Sequence, residues 1–443
     1  MSGKKKLTNI SIFVKYNNKM KHKLRNGVLI NRPYTIEAIK AHRKKIVTYN
    51  KEGTARLHLG SQTKIIPPDH QFDLTQATIF GLNERLTLSA TSPVIGKGGK
   101  TLRDKFNEEW ELYAKTLEKA KGNVFDYGVY AYYAERNHLV RYCPPYWHSV
   151  VAIASNAKLI SDPKNKYSWK EIRGIFEHTT IAIAGGSVGN NIMHGVIMDL
   201  RPQQVKIADK SLYKMENINR VRLNYWDIVR SNATRIQPAD LLLRNKAEVM
   251  ASQLYTIDPY LRVYVYNEGV HQGNIDNFLD GSGREARVDI IIEEVDDPNV
   301  KLLLRDEAKK RKIPLLMASD MGSCVQIDIL RYDKNSKLPL TYGTKDAVLR
   351  KSTRAVYENP SDRDVFFKFV DDLIGIDYRQ DELKKIIEGK TEIPTSTIIP
   401  QLGSTAAVAG GLLAETIARI RLGYNYPSRI IFNKRTFGVK IYR

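Results

Sequence analysis

A chain of 443 residues, 42% of them hydrophobic, is long enough for two or three domains and a substantial core, which excludes a disordered or low-complexity protein. Two cysteines, Cys143 and Cys324, exclude a disulfide framework and a cysteine-rich zinc site, so a reducing cytoplasm is the expected compartment. The net charge of +22 is concentrated early, with 27 Lys and Arg against 12 Asp and Glu in residues 1–160, which excludes an acidic solvating chain and raises nucleic acid or another acidic partner beside the plainer reading of a solvated surface. Residues 1–150 read as a basic α+β domain that recognises a partner or substrate. Its N-terminal stretch has no apolar run of secretory length, so no signal peptide is expected. Pro67-Pro68, "GKGGKT" at 96–101 and "CPPYWH" punctuate it, a helix is expected over 101–121, and "YGVYAYYAE" reads as a strand. "GKGGKT" fails as a P-loop because that pattern needs glycine where Val94 stands, and it is read as a basic turn.

Residues 151–443 form the second expected domain. From about residue 170, "TTIAIAG", "QQVKIAD", "LRVYVYN", "VDIIIEE" and "IPLLMAS" are short apolar runs alternating with amphipathic ones. That order predicts an α/β fold, a Rossmann-like doubly wound, mostly parallel sheet. Crossover helices are expected over 241–255 and 299–312, residues 333–392 are mixed and charged, and "STIIPQLGSTAAVAGGLLAETIARIRLG" reads as a further helix. The uncharged run from Ile393 to Ala414 contains Pro400, Gln401 and several Ser and Thr, too polar for a membrane span and suited to a buried Gly/Ala-rich helix.

The chemistry concentrates around "AIAGGSVGNN". A strand, then Gly185, Gly186 and Gly189, then a helix presents backbone N–H groups to phosphate, although Ala184 occupies the place of the first glycine of G-x-G-x-x-G. Asp209 ends the second strand, where a carboxylate accepts both hydroxyls of a ribose. These features imply a nucleotide without separating NAD from ATP. The next residues discriminate. Asn217, Asn219 and Arg220 crowd a loop that a dehydrogenase does not need, and an arginine beside a phosphate turn suits a triphosphate; the competing reading of the asparagines is helix capping. Lys246 begins a helix aimed at the same edge. Glu293, Glu294, Asp296 and Asp297 follow "VDIII" at the carboxyl end of a strand, the edge where Mg²⁺ would sit over phosphates.

"AGGSVGNN", Asp209 followed by "ENINR", "RNKAEVMASQLYTIDP", "VDIIIEEVDD" and "KKRKIPLLMASD" resemble, in order and spacing, the adenylyltransferase domain of ubiquitin-activating enzymes and their relatives, the HesA/MoeB/ThiF superfamily. "RYCPPYWH", "ASNAKLIS" and "MASDMGSCVQIDILRYD" look more like the ThiF proteins often fused to nitroreductase-like domains. The resemblance implies an ATP- and Mg²⁺-dependent adenylyltransferase that converts a carboxylate, such as the C-terminus of a ubiquitin-like or peptide partner, into an acyl-adenylate with release of pyrophosphate. It implies that Gly185, Gly186 and Gly189 cradle the nucleotide, Asp209 holds the ribose, Asn217, Asn219, Arg220 and Lys246 face the phosphates, and Asp296 binds Mg²⁺. It also implies a homodimer. The chain departs from the family pattern at Ala184, at Ser211 in place of the second acid after the second strand, and at "SNAKLIS", which offers Lys158 and no arginine. No cysteine falls within 325–443, so adenylation without an enzyme thioester is expected. A tRNA-borne carboxylate held by the basic region, a plain NAD(P) oxidoreductase and a degenerate nucleotide-binding module are the alternatives.

Overall fold

The computed structural model describes short strands between Val28 and Phe80 and residues 98–119, 129–133, 138–155, 160–230, 242–375 and 401–442. The basic N-terminal stretch, Pro67-Pro68, Lys158 and the charged run 376–392 lie outside the described residues. The largest sheet has nine strands: β1 (Val28–Leu29), β2 (Thr180–Ala184), β3 (Gln204–Ala208), β4 (Arg262–Tyr266), β5 (Ile290–Glu293), β6 (Leu315–Met321), β7 (Cys324–Leu330), β8 (Arg429–Asn433) and β9 (Gly438–Tyr442), in the spatial order β1-β4-β3-β2-β5-β6-β7-β8-β9. The five strands from β4 to β6 run parallel. The order proceeds outward in one direction from β2 to β4 and in the other from β5 to β6, so the chain reverses between β2 and β5. Such a switch point leaves a crevice beyond the strands' carboxyl ends, which locates the site.

β2 and β5 are apolar at almost every position, β3 alternates Val205 and Ile207 with Gln204 and Lys206, and all three are entirely buried, because both faces are covered by helices. Ile181, Ile183, Val205 and Ile207 face α2 (Val188–Leu200), α3 (Lys246–Ile257) and α5 (Gly403–Arg421). Ala182, Ile291 and Leu315 face α4 (Pro298–Arg311) through Leu304 and Ala308. A helix α1 (Trp169–Glu177) leads into β2, opened by Ser168, which with Glu171 forms a capping box.

Several boundaries differ from expectation for local reasons. The helix expected over 241–255 starts at Lys246, because the Asn245 side chain accepts from the backbone of Ala247 and Glu248, and Leu242–Leu243 pairs instead with Val229–Arg230. The helix expected over 101–121 spans Leu102–Lys119, opened by reciprocal hydrogen bonds between Thr101 and Asp104, which gives the "GKGGKT" threonine a capping role. Residues read as mixed contain helices Asp346–Glu358 and Arg363–Ile374. β6 and β7 form a hairpin over Gly322-Ser323, and β8 and β9 extend the parallel core antiparallel.

Two contacts fix the scaffold beneath the crevice. The carbonyls ending α3 are taken by the Tyr133 hydroxyl (to Tyr255 O, 2.7 Å), the Tyr142 hydroxyl (to Thr256 O, 3.2 Å) and His148 Nε2 (to Ile257 O, 3.1 Å). Burial pulls the His148 imidazole down to about 4, so near neutral pH the ring is uncharged and donates one hydrogen to that carbonyl. At the other contact α5 crosses α2 at backbone distance: a Cβ on Gly410 would lie 2.8 Å from Asn191 O. The Gly/Ala-rich run is thus a packing surface, and no described helix is long and apolar enough to cross a membrane. We predict that Gly410→Ala lowers unfolding stability by about 1–3 kcal/mol in urea titration. Gly411→Ala, which meets no atom within 4 Å, raises it by about 0.5–1 kcal/mol.

Candidate nucleotide site at the sheet switch point

β2 stops at Ala184, and Gly185 N donates to Ala208 O at 2.9 Å, which folds the turn onto β3. Gly185 has φ +108°, and a Cβ there would lie 2.2 Å from Glu294 O, so neither backbone angle nor space admits a side chain. Gly186 and Gly189 are held to hydrogen by their neighbours: a Cβ on Gly186 would lie 2.8 Å from Lys246 Cβ, and one on Gly189 2.7 Å from Ile183 Cδ1. The turn delivers α2 with its N-terminus in the crevice. Ser187, the residue before α2, makes no side-chain cap bond, and its hydroxyl instead accepts from Arg220 Nε at 2.9 Å. The first-turn N–H groups of α2 with Arg220 beside them form an electropositive pocket mouth suited to an anion.

Asp209 is the hub of this mouth. Its Oδ2 accepts from Gly186 N at 2.6 Å and its Oδ1 from Ser211 N at 2.7 Å, while its backbone carbonyl accepts from Asn245 Nδ2 at 2.8 Å. Each carboxylate oxygen keeps a lone pair for a hydroxyl donor. Asn245 also caps α3, so the residue that holds Asp209 launches Lys246. The Lys246 ammonium lies 5.9 Å from the centre of the Tyr213 ring, whose hydroxyl donates to Gly186 O at 2.8 Å.

The loop after β3 divides its polar residues. Asn217 is buried, and its Oδ1 accepts from Lys214 N at 2.9 Å, the capping geometry set out as the competing reading. Asn219 is exposed, accepts from Arg220 Nη1 at 3.2 Å and donates to Gln401 O at 3.4 Å. Arg220 is thereby steered toward the turn by Ser187 and Asn219 together.

The carboxylates after β5 do not act as one cluster. Glu293 is wholly buried and accepts from Lys301 at 2.6 Å and from Arg305 at 3.1 and 2.8 Å. Glu294 accepts from Ala318 N at 2.7 Å, and burial pushes its carboxyl well above the usual range. Asp297 caps α4 and meets Lys210 at 3.5 Å. Asp296 is exposed on the turn between them. Among the described residues no group of three or more His, Cys, Asp and Glu could hold a metal. A single free carboxylate still fits Mg²⁺, which takes one or two carboxylates and completes its shell with phosphate oxygens and water.

Sequence reasoning missed Ser187, Tyr213, Asn245 and Asp320. Asp320, near the end of β6, is 4% exposed, and neither of its oxygens finds a hydrogen-bond partner. Burial pushes its carboxyl up to about 7 against the opposing pull of Arg220 and Lys434. Its only signal in the sequence is one charge closing the apolar run "PLLMASD". Cys324 is buried at the start of β7.

Because Glu293 belongs to a buried ion pair, Arg305→Met leaves an uncompensated buried charge, and we predict a loss of about 3–5 kcal/mol in equilibrium unfolding. The same titration on Lys301→Met, at a side chain that reaches solvent, gives a smaller loss, and added Mg²⁺ restores neither.

A model of the ThiF family matches residues 171–440. An uncharacterized protein of Mycobacterium tuberculosis (strain CDC 1551 / Oshkosh) is 30% identical over 164 residues, which are 37% of this chain and 20% of that protein. The chain thus spans about a fifth of the length of the curated relative it matches. Among solved structures, MccB of E. coli gives a TM-score of 0.41 at 11% identity, covering 92% of this chain and 93% of that one. The crystal structure of PaaA gives 0.43 at 12% identity, covering 68% and 82%.

Proposed function

Because this chain belongs to the ThiF family, we propose that it activates a carboxylate with ATP, forming an acyl-adenylate and releasing pyrophosphate. The observation that carries the reading is the convergence of Asp209, the open N-terminus of α2, Arg220 and Lys246 at the sheet switch point. Asp209 takes the ribose hydroxyls with its remaining lone pairs. The turn at Gly185, Gly186 and Gly189 brings backbone N–H groups against phosphate where side chains would keep them away. Arg220 and Lys246 lie on two sides of that turn, and Asn219 keeps the guanidinium oriented.

The attacking carboxylate and the triphosphate are both anions, so the first task of the site is to let them approach. Fixed positive groups that already point at the crevice do this without reorganising during the reaction, the condition under which electrostatic stabilisation lowers a barrier most. A carboxylate oxygen then attacks the α-phosphorus in line with the departing pyrophosphate, whose growing charge falls toward Arg220 and Lys246. Asp296 is the residue that would hold Mg²⁺, which when bound would supply further neutralisation of the phosphates. Asn217 supports the loop through its cap.

The carboxylate belongs to a ubiquitin-like or peptide C-terminus, the N-terminal region recognises it, and the working unit is a homodimer in the cytoplasm. The early excess of positive charge favours a second reading, a tRNA-borne carboxylate. Binding that weakens steeply between low and moderate salt would select it.

We expect ATP–pyrophosphate exchange, driven by the correct carboxylate, to fall about 10²-fold in Arg220→Ala and in Lys246→Ala, with melting temperature unchanged. Exchange at the wild-type rate in both variants would remove these residues from the reaction.

A further inference from the structure

Tyr213 lies in the loop after β3 and has no part in the steps above. Its side chain is wholly buried with Val221, Ile228 and Val249, and its backbone N–H donates to Arg244 O at 2.9 Å, so the residue is fixed from both ends. The hydroxyl joins the two elements that make the phosphate turn. It donates to Gly186 O at 2.8 Å and accepts from Asn190 Nδ2, in the first turn of α2, at 3.3 Å. Burial pushes the phenol well above its ordinary range, so it keeps the proton it donates at any working pH. The pair is anchored further back. Asn190 Nδ2 also donates to Gln253 Oε1 of α3 at 2.8 Å, and Gln253 Nε2 donates to Asp227 Oδ2 at 3.2 Å and to Arg222 O at 2.8 Å.

A trans peptide is planar, so its C=O and N–H point in opposite directions. No cis peptide occurs among the described residues, and the bond from Gly186 to Ser187 follows that rule. With Gly186 O turned inward onto the Tyr213 hydroxyl, the Ser187 N–H is turned outward. Ser187 is the one partly exposed residue from Thr179 to Asn190, so outward at this point is the crevice. The preceding N–H, of Gly186, is taken by Asp209 at 2.6 Å, and the Ser187 hydroxyl accepts from Arg220 Nε. The Ser187 N–H is thus the first backbone donor that the turn aims at an anion, and a hydrogen bond on the far side of the same peptide sets its direction. Gly186 has no side chain to resist rotation of that peptide. Resting on the ATP reading above, we propose that Tyr213 is a positioning residue whose hydroxyl holds the Gly186–Ser187 peptide with its N–H aimed at phosphate.

The test compares wild type with Tyr213→Phe in two measurements, calorimetric titration with ATP plus Mg²⁺ and hydrogen exchange resolved to the Ser187 amide. Phenylalanine keeps the ring, its packing and its place 5.9 Å from the Lys246 ammonium, and removes only the hydroxyl. The Kd for ATP should rise about tenfold, the scale of one hydrogen bond to a charged acceptor. In wild type, saturating ATP plus Mg²⁺ should slow exchange at the Ser187 amide at least about tenfold, and in Tyr213→Phe at its own saturating concentration most of that protection should be lost. The wild-type arm needs no variant. A Ser187 amide that bound ATP leaves unprotected overturns the proposal while the ATP reading stands. An unchanged Kd in Tyr213→Phe overturns it as well, and so does a raised Kd with Ser187 protection intact, which would make Tyr213 a support of the fold alone. Wild type that does not bind ATP removes both the ATP reading and this inference.

Discussion

The site depends on one junction, the three hydrogen bonds made to Asp209. Gly186 N and Ser211 N bind its carboxylate, and Asn245 binds its carbonyl while capping α3. The glycine turn, the end of β3 and the start of α3 are therefore positioned against a single residue. Hydrogen bonds to a charged acceptor contribute about 1.5–3 kcal/mol each, against about 1 kcal/mol for neutral pairs, so the junction outranks any contact made by the exposed lysines around it. A shift at Asp209 moves the nucleotide's expected ribose partner, the phosphate turn and Lys246 together.

That junction is supported from below. The carbonyls at the far end of α3 are satisfied by Tyr133, Tyr142 and His148, so the N-terminal segments hold the helix that presents Lys246. On the other side α5 lies close enough to α2 that Gly410 has no room for a methyl group. Helix packing at that distance is steric and short-ranged. It fixes the α2 N-terminus, which a nucleotide phosphate requires more than it requires any particular side chain.

The parallel core was legible because β2 and β5 are nearly uninterrupted apolar runs, the pattern of strands covered on both faces, while β3 interrupts the pattern with Gln204 and the buried Lys206, which Glu285 meets at 3.3 Å. The β6–β7 hairpin was harder to see. β7 alternates Val325, Ile327 and Ile329 with Gln326 and Asp328, the pattern of a strand with one wet face, yet it is buried at all seven positions, and only the Gly322-Ser323 pair marks the turn. Asp328 is tolerated there because Arg429, 101 residues later, pairs with it, a partner no local window reveals. The same limitation applies in the site. Spacing brought out Asp209, Arg220 and Lys246, each at a strand or helix end. Glu293 and Asp296 look alike in "EEVDD", yet Arg305 and Lys301 claim the first and leave the second on the surface. Asp320 reads as an ordinary edge residue until the fold buries it beside Arg220.

The central claim is that this crevice takes a triphosphate rather than a dinucleotide. The most direct measurement is thermal melting with ATP plus Mg²⁺, with NADH and with NADPH, on wild type and on Asp296→Ala. A ligand at about 100 times its Kd stabilises by about 2.7 kcal/mol, well within what a melting curve resolves. The account predicts a rise with ATP and Mg²⁺ that Asp296→Ala reduces, and none with either nicotinamide nucleotide. A rise with NADH or NADPH that is indifferent to Asp296, without one for ATP, would contradict it.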